Sequence, residues 1–122
     1  MIQQEQALLP EKVCDLAYLK DLSNGNKNFV QDMISLFLSE VTEEVGTLEK
    51  GIISGDFDTI MRASHRLRST IPFVGIDKLL FQEMHSMEQM AIERQGLDYI
   101  HTLFMKVKKV CFQAIKELKG EI

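Results

Sequence analysis

The chain has 122 residues, of which 45% are hydrophobic and 26% are charged, and its formal net charge is −4. This length and composition suit one globular domain with a core of its own. The negative charge argues against a general nucleic-acid binder, because phosphate contacts need a concentrated basic surface. We therefore expect a single compact domain that does not bind nucleic acid.

The sequence carries no pattern for export or membrane insertion. Residues 3–6 read Gln-Gln-Glu-Gln, where a signal peptide needs positive charge followed by an apolar run. No run of about eighteen apolar residues occurs, so no segment is predicted to span a bilayer. The two cysteines, Cys14 and Cys111, lack metal-ligand spacing and are predicted to be reduced thiols. These observations predict a cytoplasmic protein without a membrane attachment.

A short helix is predicted to follow a polar lead-in. Residues 1–13 are expected to form the lead-in, since a proline interrupts any helix through them, and residues 14–122 are expected to form the domain. Asp15 is predicted to cap a short helix that ends near Leu22, before a Ser-Asn-Gly-Asn turn. The inward positions of this helix are predicted to be Leu16, Leu19 and Leu22.

Two longer amphipathic helices are predicted next. Apolar residues recur at helical spacing from residue 27 to about residue 54, and Gly46 within this stretch is expected to mark a close contact or a slight bend. Gly55 is predicted to end that helix, and Asp56 is predicted to cap the following one, which should kink or end near Pro72. The predicted inward positions are Phe29, Met33, Leu36, Phe37, Val41, Val45, Leu48 and Ile52 in the first helix, and Ile60, Ala63, Leu67, Ile71 and Val74 in the second.

Two further helices complete the predicted fold. One runs to about Arg94 and the other runs from about Leu97 to Lys119, with a Gln-Gly break between them. Connections this short favour antiparallel neighbours. The predicted fold class is therefore all-α, an antiparallel four-helix bundle with a short extra N-terminal helix. The inward positions are Ile76, Leu79, Leu80, Met84, Met87 and Ala91, followed by Ile100, Phe104, Val107, Cys111, Ala114 and Leu118.

His65 is predicted to lie on the exposed face of its helix. At about 100° per residue it falls roughly 160° from the centre of the apolar stripe. Arg62, Arg68 and Ser69, at i−3, i+3 and i+4, share its face and surround it with two cations and a small hydroxyl. A neutral imidazole nitrogen can attack phosphorus, and a cation one turn away would stabilise phosphoryl oxygens. The alternative is that His65 is simply an exposed residue among arginines.

Residues 63–70, Ala-Ser-His-Arg-Leu-Arg-Ser-Thr, followed by Gly75, resemble the signature of the histidine-containing phosphotransfer (HPt) domains. That signature reads His-x-Leu-Lys-Gly/Ser-Ser/Ala, with a glycine ten residues after the histidine. The resemblance extends from about residue 15 to residue 119 and implies the same bundle architecture. It implies that His65 accepts the phosphoryl group, that Leu67 is buried, that Arg68 replaces the lysine beside the phosphoryl group, that Ser69 is the small residue and that Gly75 is the glycine.

Some features depart from the family pattern. Arginine in place of lysine keeps the charge but changes the donor geometry. Ser69 is a less common choice than glycine, and Pro72 should bend the helix soon after the site. Many members also carry a glutamine near the site on the following helix, but the equivalent spacing here gives Met87, and Gln82 and Gln89 are out of register. No residue is therefore assigned to that role.

The function implied by the resemblance is that of a phosphorelay intermediate in two-component signalling. The domain would accept a phosphoryl group from a response-regulator receiver aspartate and pass it to another receiver. Receiver domains and a hybrid sensor histidine kinase are the implied partners, and Mg²⁺ is expected on the receiver rather than on this chain. No ATP-binding or autokinase activity is expected, and the sequence lacks the corresponding glycine-rich motifs. We expect a monomer without cofactors.

Two other hypotheses are weaker at the level of sequence. His65, His85 and His101 lie on three different predicted helices without an i, i+4 pair, so no metal site is indicated. A helical adaptor that binds its partner without phosphotransfer is the stronger alternative, with Met61 and Phe73 near the His65 face as apolar contacts. An adaptor should keep its partner when His65 is lost. The methionines are predicted to fill the core.

Overall fold

The computed structural model describes residues 10–121, which form five α-helices and one short 3-10 helix, with no strand in that range. The all-helical prediction is therefore confirmed. Most of the predicted lead-in, residues 1–9, lies outside the described residues. In chain order the helices are α1 (Ala17–Ser23), α2 (Lys27–Ser54), α3 (Phe57–Thr70), the 3-10 helix (Ile71–Val74), α4 (Asp77–Ile92) and α5 (Leu97–Lys119).

The helices share one apolar core. α3 packs against α2 and α4, α5 packs against α4 and α2, and α1 lies against α2 and the 3-10 helix. Every inward position predicted for α3, its 3-10 extension and α5 is buried. Burying one such Leu, Ile or Phe side chain contributes about 2 kcal/mol. This core fixes the backbone of α3 on two sides and so determines which of its residues face solvent.

Two predicted inward positions are wrong. Leu22 and Leu36 are each 48% exposed. In α1 the buried residues are Leu19 and Ser23, four residues apart, so Leu22 is rotated out of the contact. In α2 the core positions near this point are taken by Ile34 and Phe37, and Leu36 lies about 100° around the helix from Phe37.

The ends of α3 follow the predicted signals. The side chain of Asp56 accepts hydrogen bonds from the backbone N–H of Thr59 at 3.2 Å and from its hydroxyl at 2.8 Å. These bonds lower the pKa of the Asp56 carboxyl. At the other end the α-helical geometry stops at Thr70, and Pro72 lies within the 3-10 helix that follows. The predicted helix end near Pro72 is confirmed.

Gly75 allows the N-terminal segment to cross the turn between the 3-10 helix and α4. Its φ is +79°, and a Cβ at this position would lie 2.6 Å from the carbonyl oxygen of Asp15. The backbone N–H of Asp15 also donates to the carbonyl of Val74 at 2.8 Å. By contrast, a Cβ on Gly46 would meet nothing within 4 Å, so the expected close contact at Gly46 is wrong.

The same N-terminal segment is held by α5 on its other side. The Glu117 carboxylate accepts hydrogen bonds from the backbone N–H groups of Val13 at 2.8 Å and Cys14 at 3.0 Å. Both cysteines are free thiols. Burial, followed by the nearby Glu117 charge, raises the pKa of Cys14 to about 12, and burial alone raises that of Cys111 to about 12. Both thiols are therefore protonated and poorly nucleophilic at neutral pH.

Gly75→Ala should destabilise the protein by about 2 kcal/mol or more, because it adds left-handed backbone strain to a clash with Asp15. Gly46→Ala is the matched control. It lies inside α2 with open space around it, and it should stabilise the protein by up to about 1 kcal/mol. Urea unfolding followed by circular dichroism measures both changes. Equal stabilities for the two variants would contradict the crossing at Gly75.

Candidate functional site

His65 projects from the exposed side of α3, and its side chain is 60% solvent-accessible. Ile60 and Leu67, which frame it along the helix, are fully buried on the opposite side. The helical period of 3.6 residues therefore accounts for its position, as the sequence indicates. Leu67 contributes to the core, and Gly75 lies at the turn before α4, so both residues support the fold rather than face the histidine.

The imidazole is held by a carboxylate from the neighbouring helix. Nδ1 of His65 lies 3.0 Å from Oε2 of Glu88, whose side chain is only 15% exposed. The other carboxylate oxygen, Oε1, accepts from Nε of Arg68 at 3.2 Å. Glu88 thus bridges the histidine and the arginine that lies one turn after it. We refer to these three residues as the His65 cluster.

The geometry of the His65 cluster specifies which ring nitrogen is free. An ionised carboxylate can only accept a hydrogen bond, so the Nδ1 contact requires a proton on Nδ1. Arg68 can only donate, so its Nη2 atom, 3.3 Å from Nδ1, is a close neighbour rather than the partner of that nitrogen. In the neutral ring Nε2 then carries the lone pair. The cluster presents Nε2 as a nucleophile.

Ser69 and Arg62 lie on the same exposed face. The Ser69 hydroxyl donates to the carbonyl of His65 at 3.1 Å, so it is occupied within α3 and leaves the space beside the ring open. Arg62 shares with His65 a groove of about 270 Å³ on the α4 side, which is also lined by Met61, Arg66 and Glu88. Two guanidinium groups and one methionine therefore lie around the imidazole on this side.

A second groove, on the α2 side of His65, has the opposite charge. It has a volume of about 470 Å³ and is lined by three glutamates of α2 together with residues of α3. One glutamate, Glu44, pairs with Arg66 at 3.6 Å. His65 therefore stands on a ridge between a groove with arginines and a groove with carboxylates. The lining residues of the second groove are Glu40, Glu43, Glu44, His65, Arg66, Ser69 and Thr70.

Sequence reasoning missed Glu88. The family spacing pointed to Met87, but Met87 is fully buried and Glu88 is the residue that reaches the imidazole. A signal was present in the helical pattern. Glu88 directly follows a residue of the α4 core stripe, just as Arg68 directly follows Leu67 in α3. Residues in this position flank the contact between two packed helices, so facing flanks can bring charged groups together.

Residues 10–121 contain neither a candidate metal cluster nor a candidate membrane span. No group of three or more His, Cys, Asp or Glu side chains in this range could hold a metal ion. In the same range, no helix combines the length and the apolar composition that crossing a membrane requires.

The structure therefore defines an all-helical domain that presents a carboxylate-bound imidazole between arginines. The family model for the Hpt domain matches residues 32–117, and the chain therefore belongs to the Hpt domain family. Hpt domains are histidine phosphotransfer modules of two-component phosphorelays and have no kinase activity of their own. Comparisons with curated proteins and with solved structures gave no significant match.

Removing the Glu88 carboxylate should change the tautomer of His65. We expect the wild-type neutral ring to carry its proton on Nδ1, and Glu88→Ala to shift it toward the Nε2–H form, because the acceptor at 3.0 Å is gone. Glu88→Gln should retain the Nδ1–H form, since an amide oxygen can still accept. Imidazole ¹⁵N chemical shifts of histidine-labelled protein, recorded where the ring is neutral, measure this.

His101 is an internal control for that measurement, because it is exposed on α5 and is not among the residues that form hydrogen bonds or ion pairs with Glu88 within residues 10–121. Its tautomer should be the same in all three proteins. A wild-type His65 that is protonated on Nε2 would contradict the assignment of Nε2 as the nucleophile.

Proposed function

We propose that His65 accepts a phosphoryl group from the aspartyl phosphate of a response-regulator receiver domain and passes it to the aspartate of a second receiver. The observation that carries this proposal is the 3.0 Å contact between Nδ1 of His65 and Glu88, which in the neutral ring leaves the lone pair on Nε2 of a side chain that is 60% solvent-accessible. A histidine at this position falls within the range that matches the Hpt domain.

In the proposed transfer step, His65 supplies the nucleophile and Glu88 stabilises the charge that develops on the ring. The lone pair of Nε2 attacks phosphorus, a phosphorus–nitrogen bond forms, and the bond from phosphorus to the aspartyl oxygen breaks to release a carboxylate. The ring keeps its proton on Nδ1 and becomes cationic. Glu88 already accepts that proton in a hydrogen bond and therefore stabilises the charge that develops. The reverse of this step delivers the phosphoryl group to the next receiver.

Arg68 and Arg62 supply positive charge around the transferred group. Arg68 has a nitrogen 3.3 Å from the ring, so a modest movement brings donors to phosphoryl oxygens bound at Nε2. Arg62 lines the groove on the α4 side of the ring. We assign to Ser69 a steric role, because its hydroxyl is engaged with the backbone and its small side chain leaves room for a receiver.

The remaining parts of the proposal concern the domain as a whole. We propose that residues 14–122 form the phosphotransfer domain, in which α2 to α5 are an antiparallel four-helix bundle and α1 is the additional N-terminal helix. The domain works as a monomer without a cofactor, and it neither binds ATP nor phosphorylates itself. The receiver brings Mg²⁺, and a hybrid sensor histidine kinase is a suitable source of the first receiver.

His65→Gln should abolish phosphorylation by phosphoramidate, a small donor that needs no docking, and should abolish transfer from a phosphorylated receiver. Folding should change little, because an exposed substitution away from core and caps alters stability by at most about 0.5 kcal/mol. His101→Gln, another exposed histidine, is the matched control and should be labelled as well as the wild type. Labelled protein should lose the phosphate in acid and keep it in alkali, as a phosphorus–nitrogen bond requires. Labelling that persists in His65→Gln would mean that another residue accepts the phosphoryl group, and receiver binding without any transfer would favour an adaptor.

Arg68→Ala should slow transfer from a receiver about ten- to hundred-fold without abolishing it, because the nucleophile stays in place while one stabilising cation is lost. Arg68→Lys should recover part of the rate that Arg68→Ala loses, because a lysine keeps the charge. Recovery should be incomplete, because an ammonium lacks the planar set of donors that can bind Glu88 and a phosphoryl oxygen together. Single-turnover transfer measures both rates. Wild-type rates in Arg68→Ala would remove Arg68 from the proposed site.

A further inference from the structure

On the α2 side of His65, the protein surface is acidic beside the histidine and apolar further away. The groove of about 470 Å³ described above shares Glu40 and Thr70 with a small hollow of about 40 Å³. Leu36 and Phe73 are among the residues that line the hollow. The two cavities therefore form one continuous surface, which we call the α2 groove.

The carboxylates of the α2 groove are mostly uncompensated. Glu44 pairs with Arg66 at 3.6 Å, whereas Glu40 and Glu43 are exposed and form no ion pair with any residue in the range 10–121. These two glutamates share a groove with the proposed phosphoaccepting histidine. An anionic group that approaches His65 from this side meets negative charge.

The apolar part of the α2 groove belongs to the same strip of α2. Leu36, Glu40 and Glu43 are spaced at i, i+4 and i+7, so their side chains lie one above another on one helix face. Leu36 is 48% exposed, and Phe73 nearby is only partly buried, with its ring 6.2 Å from that of Tyr18. A partner placed over this strip meets an apolar contact and then two carboxylates.

We propose that the α2 groove selects receiver domains whose docking surface carries lysine or arginine next to apolar side chains. The inference rests on the proposed function, because any domain that brings a phosphoryl group to Nε2 of His65 also covers the groove that His65 lines. A receiver that covers Glu40 and Glu43 without offering a cation removes two unpaired carboxylates from water, which costs desolvation energy. The two carboxylates also repel the incoming anionic group. A basic residue opposite them removes both penalties, and an apolar neighbour covers Leu36.

The consequence for specificity is discrimination by repulsion. A receiver with a neutral or acidic surface at this place is disfavoured even when the chemistry at its aspartate is unchanged. The arginines near His65 do not offset this. Arg62 lines only the groove on the α4 side, and Arg66, which lines both grooves, pairs with Glu44 rather than with Glu40 or Glu43. The two grooves therefore also favour one orientation of the receiver on α3.

The test compares the double variant Glu40→Lys/Glu43→Lys with the control Glu11→Lys/Glu121→Lys. Both change the net charge by the same amount, and Glu11 and Glu121 are exposed residues outside the α2 groove. Phosphoramidate labelling reports how much of each protein has a competent His65. Transfer is measured from a panel of phosphorylated receiver domains, and the receiver that the wild type serves fastest is used to compare the variants.

Relative to phosphoramidate labelling, kcat/KM for transfer should fall about ten-fold or more in Glu40→Lys/Glu43→Lys at low ionic strength, and added salt should reduce the deficit. The control should stay within about two-fold of the wild type. Replacing the facing basic residue of the receiver by glutamate should restore transfer to the Glu40→Lys/Glu43→Lys variant.

The outcomes separate this inference from the proposed function. If Glu40→Lys/Glu43→Lys transfers phosphate at the wild-type rate, or if the control variant is impaired to the same degree, the role of the α2 groove is overturned. The proposed function is then left intact. A wild type that exchanges phosphate with no receiver of the panel overturns both.

Discussion

The packing of α3 between α2 and α4 is the constraint on which the site depends. Ile60, Ala63, Ser64 and Leu67 are buried in these two contacts, so the helix can neither rotate nor slide without exposing core residues. What remains outside is a narrow strip on which Arg62, His65 and Ser69 follow one another at i, i+3 and i+7. The core therefore fixes the direction of the imidazole from the opposite side of the helix. His65, the proposed phosphoacceptor, is therefore expected to be replaceable without loss of the fold, because its position is determined by residues on the other side of the helix.

Glu88 changes the electrostatic character of the cluster relative to the glutamine that many family members carry. Either side chain can accept a proton from Nδ1, so both select Nε2 as the free nitrogen. Only a carboxylate also brings a negative charge, and here that charge lies 3.0 Å from Nδ1 with little exposure to water. In the proposed transfer the ring becomes cationic, so the carboxylate would favour the phosphorylated state of the ring more than an amide would. Protonation of Nδ1 also makes the ring a better leaving group, which suits the proposed onward transfer to a second receiver.

The sequence was most informative where one helix alone determines the outcome. The stripe of α3, the exposure of His65, the cap at Asp56 and the helix end near Pro72 all follow from the period of the helix and from local backbone chemistry. The exposure of Leu36 and the reach of Glu88 depend on how two helices are rotated and offset against each other. That rotation is fixed by side-chain packing across the interface between the helices. The spacing of apolar residues within one helix does not reveal it. The family pattern placed the neighbour of the histidine at Met87, one residue from Glu88, and on a helix one residue is a rotation of about 100° from core to surface.

The contacts of Arg68 with Glu88 and the imidazole explain why an arginine suits residue 68 in this chain. Its Nε atom is bound to Glu88 at 3.2 Å while its Nη2 atom lies 3.3 Å from the imidazole. A guanidinium can keep one nitrogen on the carboxylate and still direct other donors toward a phosphoryl group, because its five N–H groups point outward from a rigid plane. A lysine ammonium is a single point charge. If it paired with Glu88, it would be less able to contact the phosphoryl oxygens at the same time. The carboxylate at residue 88 and the arginine at residue 68 are thus one paired departure from the family pattern. In the proposed transfer, the same guanidinium binds Glu88 and the incoming phosphoryl group.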